Sequence, residues 1–423
     1  MATEAANSGL ARRLGVGDAV VIGLGSMIGA GIFAALGPAA AAAGSGLLVG
    51  LLVAAVVAYC NAVASARLAA RYPQSGGTYV YGRERLGPFW GYLAGWSFVV
   101  GKTASCAAMA LTVGAYAWPE HARAVAVAAV VALTAVNCRG VQKSAILTRV
   151  IVAAVLAVLT AVVVSAIGAG ALDAGKLAIG SDVTVYGVLQ AAGLLFFAFA
   201  GYARIATLGE EVRNPQRTIP LAIPMALGLA LLVYAAVATT ALAVLGPAAM
   251  AASVAPLTDV ARATGVPGLV VAVAIGGAVA ALGSLLSLIL GVSRTTLAMA
   301  RDGHLPAPLA AVHPRFQVPH HAEIAVGVVV AVLVLAIDVR GAIGFSSFGV
   351  LLYYAIANAS AWTLTPDEGR PARLVPVVGA GGCVLLAFTL PWQSVAAGAV
   401  VAGLGAAVYV IRQQITGRQG EVR

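Results

Sequence analysis

Charge is scarce in this sequence: 9% of its 423 residues are Asp, Glu, Lys or Arg, and only 15 are acidic. A water-soluble domain of this length needs a far more polar surface, so that class is excluded. Cysteine is rare as well. Cys60, Cys106, Cys138 and Cys383 lie far apart with no CxxC and no Cys/His spacing, which argues against zinc or redox motifs and for thiols packed between helices. Of the five histidines, His121 stands alone and His304, His313, His320 and His321 share one loop, where His320-His321 is the only pair with metal-binding potential. No acid, histidine or nucleophile clusters within an apolar segment, and the loops are too short for a catalytic domain. An enzyme, such as an intramembrane transferase, is therefore a remote reading. The first residues, MATEAANSGLARR, lack the early charged region and short apolar core of a signal peptide and read as a cytoplasmic tail.

What is present is apolar sequence. Hydrophobic residues make up 61% of the chain, mean hydropathy is +0.97, and 50 glycines accompany abundant alanine, a composition suited to helices packed backbone to backbone in lipid. A span needs about 20 mainly apolar residues. That rule predicts an all-α polytopic membrane protein of twelve transmembrane helices, at 17–41, 46–70, 88–117, 122–138, 144–170, 186–209, 219–245, 266–299, 322–338, 342–364, 374–390 and 393–412. The net charge of +10 invites a nucleic-acid reading, but the basic residues follow the helix map instead. On the outer side of the membrane fall only Arg123, Lys176, Arg262 and Arg340, and Lys102 falls within the membrane. The other basic residues sit on the side of the N-terminus, which makes both termini cytoplasmic.

Two spans are interrupted. Residues 20–33, VVIGLGSMIGAGIF, place Gly25, Gly29 and Gly31 within seven positions of the first helix, and residues 193–211, GLLFFAFAGYARIATLGEE, set three phenylalanines before Gly201-Tyr202 in the sixth. Glycine costs about 1 kcal/mol in a helix interior, so both segments are places for the backbone to open. An opened stretch before a half-helix offers N–H groups and a positive dipole end to a carboxylate. The alternative for helix 1 is a packing face, because Gly25-x-x-x-Gly29 is also a GxxxG pattern. For helix 6 it is core or lipid-facing phenylalanine. The breaks lie five helices apart, and an odd offset inverts the second half, so helices 1–5 (17–170) and 6–10 (186–364) form an inverted repeat. Helices 11 and 12 (374–412) and the tails 1–16 and 413–423 lie outside it.

These segments resemble the amino acid–polyamine–organocation superfamily of permeases. GSMIGAGIF is similar to its first-helix motif, and ARLAARYPQSGGTYVYGRERLGPFWGYLAGW to its second-helix exit and third-helix start. FFAFAGY with GEEVRNPQRTIPLAI resembles its helix 6 and following loop, and SRTTLAMARDGHLP the exit of its helix 8. The resemblance covers roughly residues 17–320. It implies a LeuT-type five-plus-five fold with broken helices 1 and 6, and secondary transport of amino acids or related amines. The substrate carboxylate is expected on backbone N–H groups of Ser26, Met27, Ile28, Gly29, Ala30 and Gly31. The amino group is expected on carbonyls of Phe197, Ala198, Phe199 and Ala200, with Phe199 or Tyr202 closing the site. Arg67 stands where the family often carries an acid before Leu-Ala-Ala-Arg, and Val155 where some proton-coupled members carry a lysine.

Lys102 lies near the middle of helix 3, where a charge costs about 2.5–3.5 kcal/mol on insertion scales and calls for a cavity or a partner. It is either a coupling group, replacing a cation or binding protons, or a lysine hydrogen-bonded to carbonyls at a helix break. Glu210 and Glu211, with Arg213 and Arg217, are candidates for an inner gate or simply a solvated loop. Ser284 and Ser287 on helix 8 are weak sodium-site candidates, and helix packing is the favoured role for both. The expectation is a secondary active transporter in the plasma membrane, taking up neutral amino acids with protons by alternating access. An amino acid/amine exchanger is the alternative, and a non-transporting nutrient sensor a remote one. No cofactor, metal or nucleic-acid partner is expected; the partners are the amino acid substrate and the bilayer, and oligomeric state is not legible.

Overall fold

In the computed structural model, residues 14–29, 31–73, 76–140, 145–181, 183–202, 205 and 212–421 are described. Among them no strand forms, and the one β-type contact is an isolated parallel bridge between Leu14 and Val212. Ten helical runs are long and apolar enough to cross a membrane, and two shorter apolar helices, His320–Ala336 and Leu374–Thr389, accompany them.

The first apolar run is divided into α1 (Val16–Met27), α2 (Gly31–Ala34) and α3 (Leu36–Ala43). Next come α4 (Leu47–Arg71), a short α5 (Thr78–Leu86), α6 (Pro88–Ala117), α7 (Ala122–Cys138) and α8 (Ala145–Gly168). α9 (Val185–Phe199) ends in a 3-10 turn, Ala200–Tyr202. α10 (Pro215–Leu245) leads to short α11 (Pro247–Ala252) and α12 (Pro256–Ala263). The chain then runs through α13 (Leu269–Arg301), α14 (His320–Ala336), α15 (Val339–Trp362), α16 (Leu374–Thr389) and α17 (Trp392–Glu421). Proline opens α6, α10, α11 and α12, where its missing N–H costs nothing. Gly87, at φ 105°, makes the turn between α5 and α6 that an L side chain resists.

Burial sorts the helices. The apolar window of Pro88–Ala117 is 78% buried, whereas that of Pro119–Cys138 is 22% buried, so α6 is a central post and α7 a peripheral one. α13 and α15 pack along α6 at close range because small residues meet. A Cβ on Gly349 would sit 3.0 Å from Gly101 Cα, and the Ser105 and Ser346 hydroxyls lie 2.6 Å apart. A second polar tie joins three helices: Asn358 Nδ2 donates to Asn61 Oδ1 at 2.6 Å, and Asn61 Nδ2 to Cys383 Sγ at 3.2 Å. Cys383 is thus a structural thiol, and all four cysteines are free. Leu232, Val332, Leu335 and Val164 point outward, as lipid-facing side chains do.

The three short helices α5, α11 and α12 were not expected from hydropathy. α5 is clamped at the end of the bundle where α1 begins. The Tyr79 hydroxyl donates to the Asp302 carboxylate and lies 3.0 Å from His304 Nδ1, and Arg83 pairs with Asp302 at 3.3 Å. Burial pushes the His304 imidazole below its ordinary value. Nearby, Glu368 pairs with Arg85 at 2.5 Å and Arg71 at 3.1 Å. The Arg85 hydrogen bond, then the Thr365 backbone N–H and then Arg71, hold the Glu368 carboxyl down from 4.5 to about 2. A depressed carboxyl stabilises the fold above its unfolded value and loses that contribution as pH falls through the folded value. Glu368→Gln is therefore expected to lower the thermal midpoint at pH 7, and the gap to wild type is expected to close between pH 4.5 and about 2. Equal midpoints at pH 7 would mean the clamp adds no stability.

Candidate functional site

The site is built where two helices stop. α1 ends at Met27, with the Ile28 N–H still donating to Leu24 O at 2.7 Å, and helix resumes at Gly31. α9 ends at Phe199 and tightens into the Ala200–Tyr202 turn. Both interruptions fall where the glycines and phenylalanines place them in the sequence, and in space they touch. A Cβ on Gly31 would stand 2.6 Å from Ala198 Cα, and one on Gly201 would stand 2.6 Å from Met27 N and nearer still to the Ser26 carbonyl. Backbone meets backbone here, which only glycine permits.

Three side chains from other helices fasten the junction. Tyr234 on α10 places its hydroxyl 2.6 Å from Met27 O and 2.9 Å from Ala198 O, so one proton bridges both broken helices. Lys102 on α6, 6% exposed, donates from Nζ to Ala200 O at 3.3 Å. Tyr116, also on α6, donates to Phe33 O at 3.0 Å just beyond the first break. Two of the four carbonyls expected to receive a substrate amino group, those of Ala198 and Ala200, thus already accept bonds from the protein.

The remaining predicted residues are placed as follows. Met27, Ile28, Phe197, Ala198, Phe199, Ala200 and Tyr202 are all buried at the junction. The Phe199 ring packs on Tyr234 at 5.1 Å, and the Tyr202 ring on Tyr354 at 5.2 Å. The Tyr202 and Tyr354 hydroxyls interact with each other and find no further hydrogen-bond partner among the described residues. Ser26 turns back, donating to Ile22 O at 2.9 Å, which leaves its backbone to the junction. Ser284 on α13 abuts the first break: a Cβ on Gly29 would fall on its hydroxyl, which is buried and unpartnered. Ser287 is spent within its own helix, donating to Gly283 O at 3.0 Å. Ala30, Glu210 and Glu211 lie outside the described residues. At the start of α1, Asp18 pairs with Arg149 of α8, and the Arg213 N–H donates to Leu14 O at 2.8 Å.

Tyr234 and Tyr116 were not singled out from the sequence. The available signal was a tyrosine in an apolar helix, whose hydroxyl must find a partner when buried. Tyr234→Phe is expected to cost about 1–3 kcal/mol by leaving buried carbonyls without a donor. A fall in thermal midpoint together with a lower substrate affinity would show it; an unchanged affinity would confine Tyr234 to the scaffold.

A bundle of apolar helices with paired backbone breaks is the architecture of a membrane transporter. The sequence profile described as "Amino acid permease" matches residues 14–411, and the chain belongs to that family. It is a multi-pass membrane transporter. It is 73% identical over 409 residues to an uncharacterised transporter of Mycobacterium tuberculosis, covering 97% of this chain and 93% of that one. It is 29% identical to a vacuolar cationic amino acid transporter of Arabidopsis thaliana, covering 86% of this chain and 65% of the other. It is 25% identical to a methylthioribose transporter of Bacillus subtilis, covering 97% and 95%.

Proposed function

We propose that this permease is a secondary active importer of neutral amino acids, coupled to protons and working by alternating access in the plasma membrane. In this reading α1–α3, α4, α6, α7 and α8 are spans 1–5, the runs from α9 to α15 supply spans 6–10 in inverted orientation, and α16 and α17 complete twelve, with both termini cytoplasmic. The observation that carries the reading is the contact between the two breaks, held through Gly31, Gly201 and Tyr234. Unwound backbone at such a contact offers N–H groups to a carboxylate and carbonyls to an ammonium, the two ends shared by all amino acids.

Substrate charge is read from what surrounds the breaks. α6, α9 and α13 contain no Asp or Glu, while Lys102 brings a positive charge to Ala200. Among the described residues a cationic side chain meets no counter-ion there, which separates this reading from the cationic substrate named for the Arabidopsis relative. Lys102 is assigned the coupling role at the break after α9, standing in for a cation.

The test is uptake of single labelled amino acids by proteoliposomes empty of substrate, in sodium-free buffer with an inward proton gradient. Accumulation abolished by a protonophore supports the proposal and names the substrate. Uptake that requires the same amino acid or an amine inside would make the protein an exchanger. Competition by lysine, arginine or methylthioribose, with none by neutral amino acids, would overturn the substrate class.

A further inference from the structure

Away from the breaks, one acid stands in an unusual position. Glu323, in the first turn of α14, is 0% exposed, and neither carboxyl oxygen meets an N–H or O–H donor among the described residues. Its surroundings are short of partners as well. On the facing side of α7, the Thr134 hydroxyl, against Gly327 one turn on from Glu323, and Asn137 Oδ1 are buried with no hydrogen-bond partner among the described residues. The Cys138 thiol is the weak hydrogen-bond donor the carboxyl does have, and Arg294 of α13 acts on it through its field, with no ion pair between them among the described residues. On its own helix, His320 leaves Nδ1 without a partner among the described residues, and its ring lies tilted against His321 and edge-on to His313, with centroids at 4.2 and 5.2 Å. α6 also packs on α14, and its one charged side chain, Lys102, bonds at the helix break instead.

An ionised carboxylate in such a place carries a desolvation cost that one thiol hydrogen bond and the field of Arg294 offset only in part, and a bound proton removes the charge. We propose that Glu323 is a proton-binding site of the transport cycle, separate from Lys102, holding its proton in this conformation and releasing it when α7, α13 and α14 move apart. The link to the breaks is structural: α13 carries Arg294 beside Glu323 and, ten residues earlier on the same helix, Ser284 against Gly29. Ten residues of helix span about 15 Å. This inference rests on the proton-coupled reading for its role in the cycle, but proton occupancy stands apart from it.

Two measurements on Glu323→Gln and wild type in lipid decide the matter. Infrared difference spectra at neutral pH are expected to show the C=O stretch of a protonated carboxyl in wild type that the variant lacks; a carboxylate signal there instead would overturn the proposal. In proteoliposomes the variant is expected to exchange internal for external substrate as wild type does, while proton-driven accumulation is lost. Accumulation at the wild-type level by Glu323→Gln removes the role in the cycle. If the variant loses exchange as well, Glu323→Asp decides: restored accumulation upholds the proposal, and continued failure overturns it. A wild type that never accumulates under a proton gradient refutes the symport reading and the cycle role together, and the infrared band still reports whether Glu323 holds a proton.

Discussion

Gly201→Ala is expected to abolish transport and to lower thermal stability. The new methyl would lie 2.6 Å from Met27 N and closer to the carbonyl carbon and oxygen of Ser26, all of them backbone atoms. Overpacking a core costs about 1–3 kcal/mol when side chains can adjust. Here the neighbour is the end of α1, itself pinned by Tyr234, so the cost belongs at the top of that range and the strain falls on the break. Gly291→Ala on α13 and Gly228→Ala on α10 are the controls. A Cβ at either meets nothing within 4 Å, and alanine improves helix propensity by about 1 kcal/mol. These two variants are expected to transport like wild type with equal or higher thermal midpoints. Full uptake by Gly201→Ala would mean that the breaks do not approach this closely during transport, and the site as drawn would fail.

The glycines show how far sequence reaches toward this site. Within residues 20–33 two roles competed, helix packing and backbone opening, and the structure divides them by position. Gly25 faces Val152 and Thr148 of α8, a packing contact, whereas Gly29 and Gly31 face Ser284 and Ala198 at the break. A linear pattern cannot make that division, because it depends on which helix lies opposite each residue. The same holds for Ser284 and Ser287, equal candidates in the sequence; one is orphaned against Gly29 and the other bonded within its helix. Tyr234 escaped notice since its partner Met27 is 207 positions away. Hydropathy found the long spans and missed α5, α11 and α12, which are too short or too polar to register as membrane helices and are set by proline starts, a glycine turn and ion pairs. Lys102 was legible as an anomaly, and both of its sequence readings were tied to a partner that only the fold could supply.

Lys102→Met is expected to lose uptake and exchange alike while keeping or raising thermal stability. Lys102 is 6% exposed and the partner of its ammonium is a neutral carbonyl, Ala200 O at 3.3 Å, so among the described residues nothing of opposite charge offsets its burial. Methionine fills similar volume without that desolvation cost, and replacing a buried charge by an apolar isostere is often neutral or stabilising. Against this, the Ala200 carbonyl loses its donor, at about 1–3 kcal/mol, which leaves the net effect on folding small. Function has no such compensation. A charge-assisted hydrogen bond contributes about 1.5–3 kcal/mol, so losing it at the break after α9 is expected to weaken substrate affinity by about 10- to 150-fold. Lys102→Arg is not expected to rescue, because a planar guanidinium cannot replace a compact ammonium at a close carbonyl. The loss of exchange separates Lys102 from Glu323, whose glutamine variant is expected to exchange freely, and so separates a group that builds the binding site from one that carries the proton. The measurement is substrate affinity and exchange rate for Lys102→Met across pH, beside its thermal midpoint. Wild-type exchange at every pH would reduce Lys102 to a structural tie between α6 and the turn after α9.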